Sequence, residues 1–141
     1  MKLSKYQLRS LVINWMETWN LHDLDGIMGL FHEDGSFENW TTGSIRGKER
    51  LRQAWEPWFA EDKDFIFTIE DLFVDEDEQK VVCQWKLEWP SREGPFRGKR
   101  EMRRGVDVIH FNDGKIILKC TYSKTTIEIN GCSVKLTASI D

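Results

Sequence analysis

The sequence predicts an α+β domain, with three N-terminal helices packed on the concave face of one strongly curved, mostly antiparallel sheet. Two observations carry this. Apolar residues recur at helical three- and four-residue steps over the N-terminal part, and from Phe65 onward the period switches to two. Helices first and a long meander afterwards is an α+β order in which the helices cover one face of the sheet. A sheet curled into such a cone encloses a pocket at its wide end.

Leu8, Leu11, Val12, Trp15, Met16 and Trp19 form one stripe of a first helix, both tryptophans facing inward. Asn20 to Asp25 breaks that helix. Asp23 is placed to cap a short second helix carrying Ile27, Leu30 and Phe31, which Gly35 ends. Ser36 to Trp40 alternates as a strand. After the polar loop Thr41 to Ser44, a third helix runs from about Lys48, with Leu51, Trp55, Trp58 and Phe59 on one side. Pro57 belongs in its last turns, because a proline deeper inside costs about 3 kcal/mol.

Phe65, Phe67 and Ile69 then alternate with Ile66, Thr68 and Glu70. The acidic turn Asp75 to Glu78 leads into Val81, Cys83, Trp85, Leu87 and Trp89, which alternate with polar or smaller residues and are predicted on the concave face. The loop Pro90 to Gly98 precedes a strand from about Arg100 to Phe111, an Asp113-Gly114 turn, and a strand from Lys115 to about Thr126. Asn130-Gly131 marks a further hairpin, predicted to extend the sheet or cover a partner subunit. Residues 1–141 therefore read as one domain, with a core over about 6–126 and an extra C-terminal hairpin over about 126–136.

Composition narrows the function. The chain is 40% hydrophobic and 12% aromatic, with seven Trp and eight Phe, which is globular and rich in large apolar surface. A net charge of -4 offers no general attraction to phosphate backbones or anionic lipid, so neither nucleic acid nor membrane is expected as a partner. The N-terminus lacks the apolar core of a signal peptide, and a cytoplasmic location is expected. Three cysteines at wide spacing fit reduced thiols. The three histidines are too dispersed for a local metal motif, and neither metal nor cofactor is expected. The basic run Arg97 to Arg104 reads as a solvated strand edge. Arg103 alone is in phase with Asp107, where it could reach the pocket mouth and pair with an anionic ligand.

Asp107 is a carboxylate inside the apolar strand Val106-Asp107-Val108-Ile109, in phase with Gly105, Ile109 and Phe111. Facing a pocket, it would have the desolvated setting that a proton-shuttling carboxyl uses; the plainer alternative is a solvent-facing or interface residue held by an arginine. A two-residue Asp113-Gly114 turn would put Cys120 opposite it, and a three-residue turn with a Gly114 bulge would put Lys119 there. Trp15, Trp19, Trp40, Trp55, Trp58, Trp85 and Trp89 could line an aromatic cavity; core packing is the plainer alternative for each and the favoured one for Trp55 and Trp58.

The stretch WNLHDLDGIMGLFHEDGSFEN, Arg46-Gly47 opening the third helix, and RGVDVIHFNDGKI resemble the SnoaL-like and ketosteroid-isomerase-like branch of the nuclear-transport-factor-like superfamily. The resemblance covers roughly Leu8 to Lys124, and its most specific parts are Asn20 to Asp25 and Asp107 to Ile116. It implies the cone-shaped fold and pairing into a homodimer. Its functions are diverse, spanning isomerases, dehydratases, cyclases, epoxide hydrolases and non-catalytic carriers. The isomerases' enolate-binding tyrosine falls at Trp15 and their base aspartate at Asn39, so steroid isomerisation is not expected. Their buried acid falls at Asp107, which matches. The cyclases' single aspartate, acid and base in aldol ring closure, is also placed at Asp107.

Two functional readings follow. One is cofactor-independent acid/base chemistry on a small apolar carbonyl compound, of cyclase, isomerase or dehydratase type, with Asp107 catalytic and Trp15, Trp19, Asn39, Trp85, Trp89 and Arg103 around the ligand. The other is a binding or carrier protein, or a dimerisation module, on the same fold. In either binding reading the ligand is a small apolar or aromatic molecule.

Overall fold

The computed structural model describes residues 1–41, 43–61 and 64–136. Helix α1 spans Lys5–Asn20 and starts in a capping box, in which the Ser4 hydroxyl accepts from Gln7 N and the Gln7 amide returns the bond. A short α2, Leu24–Gly29, is capped by Asp23 as expected. Helix α3 covers Lys48–Glu61 and contains Pro57 toward its C-terminal end. The strands are β1 Phe31–Glu38, β2 Ser44–Arg46, β3 Ile66–Asp75, β4 Lys80–Pro90, β5 Arg100–Asn112, β6 Lys115–Ser123, β7 Thr126–Ile129 and β8 Cys132–Lys135.

All eight strands join one sheet in the order β2-β1-β6-β5-β4-β3, and the β7–β8 hairpin attaches to β5. Every pairing is antiparallel except β1 with β6. Register shifts between Phe31 and Ser36, Ile69 and Asp71, and His110 and Phe111 sharpen the local twist. The sheet curls into a half-barrel with α1 packed on β3 and α3 on β1. Val81, Cys83, Trp85, Leu87 and Trp89 are all buried, on the predicted face. The fold is the cone that the periodicity and the resemblance implied.

Three local expectations are corrected. Phe31 is the first residue of β1, where it pairs with Ile116, and does not belong to the second helix, which ends at Gly29. Ser44 is part of β2, paired with Glu38, where the sequence suggested loop. The residue opposite Asp107 is Thr121, neither Cys120 nor Lys119. The turn is the two-residue form, with Asn112 opposite Lys115 and positive φ at Asp113 and Gly114. The ladder then passes from Phe111–Ile116 to His110–Leu118, so Ile117 is an extra residue that advances the register by one. The C-terminal hairpin turns at Asn130-Gly131, both at positive φ, and pairs Glu101 and Met102 with Ile129 and Glu128, which extends the sheet.

Candidate functional site

Between α1, α3 and the curled sheet lies a cavity of about 100 Å³, partly open to solvent. Six tryptophans reach it, from α1 (Trp15, Trp19), the β1–β2 connection (Trp40), α3 (Trp55, Trp58) and β4 (Trp85). Phe37, Phe67, Met16 and Ile45 complete most of the apolar wall. Their rings meet mainly edge to face, as between Trp15 and Trp19 at 5.7 Å and Trp19 and Trp55 at 5.3 Å.

The polar side of the wall comes from β5 and β6. Asp107 Oδ1 accepts from Trp85 Nε1 at 3.1 Å and from Thr121 Oγ1 at 2.8 Å. Lys119 Nζ donates to Thr121 Oγ1 at 2.7 Å and lies 3.5 Å from Asp107 Oδ1. The ammonium position also faces the rings of Phe37, at 4.4 Å, and Trp15, at 5.8 Å. Asp107 (3% exposed), Lys119 (6%) and Thr121 (4%) are thus a buried ion pair joined by a hydroxyl, all three on the cavity wall. Among the described residues no hydrogen bond engages Asp107 Oδ2. Asn39 lies one residue past β1, lines the cavity, and accepts Trp40 N on Oδ1 at 2.7 Å.

Burial strongly disfavours charge here. It pushes the Lys119 amine below its ordinary value, against the opposing pull of Asp107. The Cys83 thiol, paired across the ladder with Asp107, is pushed up to about 12 by burial first and Asp107 second. Cys120 rises to about 11 from burial and its hydrogen bond to Glu38. Both thiols are held as neutral, unreactive groups.

Of the residues singled out in the sequence, Trp15, Trp19, Asn39, Trp85 and Asp107 line the cavity. Trp89 and Arg103 do not: they stand one layer behind. Trp89 stacks on Trp58 at 4.7 Å and donates its indole N–H to Glu101, while Arg103 is held by Glu101 at 3.1 Å and Glu93 at 2.9 Å, over the Trp40 ring. Trp55 and Trp58, read as core, reach the cavity as well. Lys119, one of the two alternatives for the place opposite Asp107, and Thr121, which the sequence does not single out, both reach the wall, although the alternation in β6 would favour the opposite phase of Leu118 and Cys120. Their signal was chemical: a Lys and a Thr two residues apart on a strand whose neighbour carries a carboxylate. Among the described residues no group of three or more metal-binding side chains converges, and no helix is long and apolar enough to cross a membrane.

A strongly curled half-barrel sheet closed by helices is the cone-shaped α+β fold of the nuclear-transport-factor-like superfamily. Within it, the SnoaL-like domain model matches residues 12–118, and the chain belongs to that family. Among curated proteins, no sequence matches. Solved structures share the fold. The epoxide hydrolase/cyclase-like enzyme SalBIII, of pyran ring formation in the polyether salinomycin, aligns with a TM-score of 0.74 at 19% identity, covering 86% of this chain and 93% of that one. A polyketide cyclase candidate from Xanthomonas campestris pv. campestris gives 0.72 at 16%, covering 85% and 92%. A ketosteroid isomerase candidate from Kribbella flavida gives 0.68 at 18%, covering 85% and 79%. At these identities the likeness speaks for the fold alone.

Proposed function

We propose that this SnoaL-like protein is a cofactor-independent acid/base enzyme of cyclase, isomerase or dehydratase type, acting on a small apolar carbonyl compound, with Asp107 as the proton carrier. The observation that carries the reading is the placement of Asp107. Its carboxylate lies in the wall of an aromatic cavity, oriented by Trp85 and Thr121 through one oxygen, so the other is the atom available to a substrate proton. Trp15, Trp19 and Trp85 would hold an apolar ligand and Asn39 would orient its polar end, while Trp89 and Arg103 fix Trp58 and Trp40 from behind.

The test is α-proton exchange of cyclohexanone in D2O, followed by proton NMR. The wild type should exceed buffer, and Asp107→Asn should lower the enzymatic rate by about 10²–10⁴-fold, the usual worth of a positioned acid or base. Wild-type exchange no faster than buffer would leave the second reading, a binding or carrier protein. That reading is favoured by Trp15 and Asn39, which the resemblance sets at the positions of the isomerases' acid and base. We also propose a homodimer in the cytoplasm. Phe73, 60% exposed, Val82 and Val108 form a cross-strand row on the outer face, and Tyr122, 58% exposed, stands beside Val106. Sedimentation at micromolar concentration should show twice the 16.7 kDa chain mass, and a monomer alone would remove the dimer.

A further inference from the structure

Among the described residues Lys119 is the one charged group in the cavity wall besides Asp107, and proton transfer by Asp107 makes no use of it as a nucleophile. Its placement has three features. The Nζ is buried 2.7 Å from a hydroxyl and 3.5 Å from a carboxylate, so a proton has two short routes away from it. Two aromatic faces, Phe37 and Trp15, lie against it and accept a cation whatever nitrogen species bears it. The side chain borders the apolar space where, under the reading above, a carbonyl compound sits.

We infer that Lys119 is a covalent carbonyl-binding group, forming an imine between its Nζ and the carbonyl carbon of a small apolar aldehyde or ketone in this cavity. The inference rests on that reading of the cavity. Desolvation favours the neutral, nucleophilic amine, as it does for lysines that form Schiff bases.

The step balances with the groups present. The ammonium gives one proton to Asp107, directly or through the Thr121 hydroxyl. The freed lone pair attacks the carbonyl carbon, forming C–N, and Asp107 returns the proton to the resulting alkoxide. Asp107 then takes one proton from nitrogen and delivers it to the hydroxyl, which leaves as water as the C=N bond forms. One ammonium and one carbonyl thereby become one iminium and one water. The site begins and ends with one cation beside the Asp107 carboxylate, so no uncompensated charge is buried. The iminium withdraws electrons from the α-carbon, and removal of its proton by Asp107 would give an enamine, the carbon nucleophile of ring closure or isomerisation.

The experiment incubates the wild-type protein at neutral pH with benzaldehyde or cyclohexanone, adds sodium borohydride, and locates the product by peptide mass mapping. Binding is followed in parallel by quenching of the cavity tryptophans. The expected result is saturable quenching and one benzyl or cyclohexyl group fixed on Lys119 by hydride addition to the imine carbon, lost in Lys119→Arg. Saturable quenching with Lys119 unmodified overturns the imine and leaves the cavity reading standing. Modification of Lys119 no greater than that of exposed lysines such as Lys2 or Lys124 also overturns it. Neither quenching nor trapping by either compound overturns both the imine and the cavity reading. Because the mapping is done on the wild type, a poorly folding variant does not block the decision.

Discussion

Gly105 has no side chain, and the indole of Trp85, its partner across the β4–β5 ladder, occupies the room this leaves. A Cβ built there would lie 2.2 Å from the Tyr122 carbonyl oxygen and 2.4 Å from Trp85 Cζ2. The first contact is backbone and cannot yield, so the glycine lets Trp85 lie flat enough to send its Nε1 to Asp107 two residues further along β5. Gly105→Ala is therefore expected to cost at least about 2 kcal/mol by overpacking and to displace Trp85 from the carboxylate. Urea denaturation with near-ultraviolet circular dichroism reads both effects. Unchanged stability with an unchanged tryptophan signal would mean that the ring does not need the space. Glu101 shows how a neighbouring group is satisfied: fully buried, it accepts from Ser91 at 2.9 Å and from Trp89, and it holds the Arg103 guanidinium by two nitrogens. That satisfaction explains why Arg103 faces the carboxylates and leaves the cavity to others.

At the scale of the element, the extra residue in β6 decides which chemistry the cavity receives. An unbroken ladder from the Asp113-Gly114 turn would set Cys120 opposite Asp107 and turn Lys119 outward; with Ile117 inserted, Lys119 and Thr121 turn inward instead. Deleting Ile117 is expected to restore the unbroken register. In wild-type protein Lys119, facing the narrow aromatic cavity, should resist a bulky, charged amine reagent such as sulfosuccinimidyl biotin, and in the deletion it should react as fast as exposed lysines. Protection of Lys119 in a stably folded deletion variant would show that the register is set elsewhere. The same bulge marks the limit of what alternation reveals. β4 was legible because its apolar positions never break phase, and the inward face of Asp107 because Gly105, Ile109 and Phe111 agree with it. Lys119 was not, since Ile116, Leu118 and Cys120 form an equally good apolar phase and the slip that separates Ile116 from the others leaves no trace in composition. Phe31 continues the helical spacing of Ile27 and Leu30, so local periodicity assigns it to the second helix. Its true partner, Ile116, is 85 positions away in a parallel pairing that local periodicity does not encode.

Across the whole molecule, α1, α3 and the concave face of the sheet close on the aromatic cavity, so the ionisation of its polar wall is coupled to the stability of the entire fold. The ordinary value for an unfolded lysine is 10.5, and burial sets Lys119 below it. Between its folded value and 10.5 the unfolded chain still holds a proton that the folded chain has released, so this group makes stability rise with pH. The penalty is full below the folded value and vanishes above 10.5. Asp107, Cys83 and Cys120 are the titratable groups that act on Lys119, and the thiols pull the other way. Raised from 9.0 to about 12 and about 11, they stay protonated in the folded chain while the unfolded chain ionises, so their contribution is lost as pH climbs past 9.0. A wild-type profile alone would mix the two. The double variant Asp107→Asn with Lys119→Met removes both members of the ion pair, strands neither charge, and keeps both cysteines, whose shifts arise first from burial. Subtracting its unfolding free energy from that of the wild type at each pH, by urea denaturation from neutral pH upward, should leave a difference that climbs toward 10.5 and then levels. A flat difference over that range would show that Lys119 keeps its ordinary affinity for the proton, and that the amine is not biased toward its neutral form.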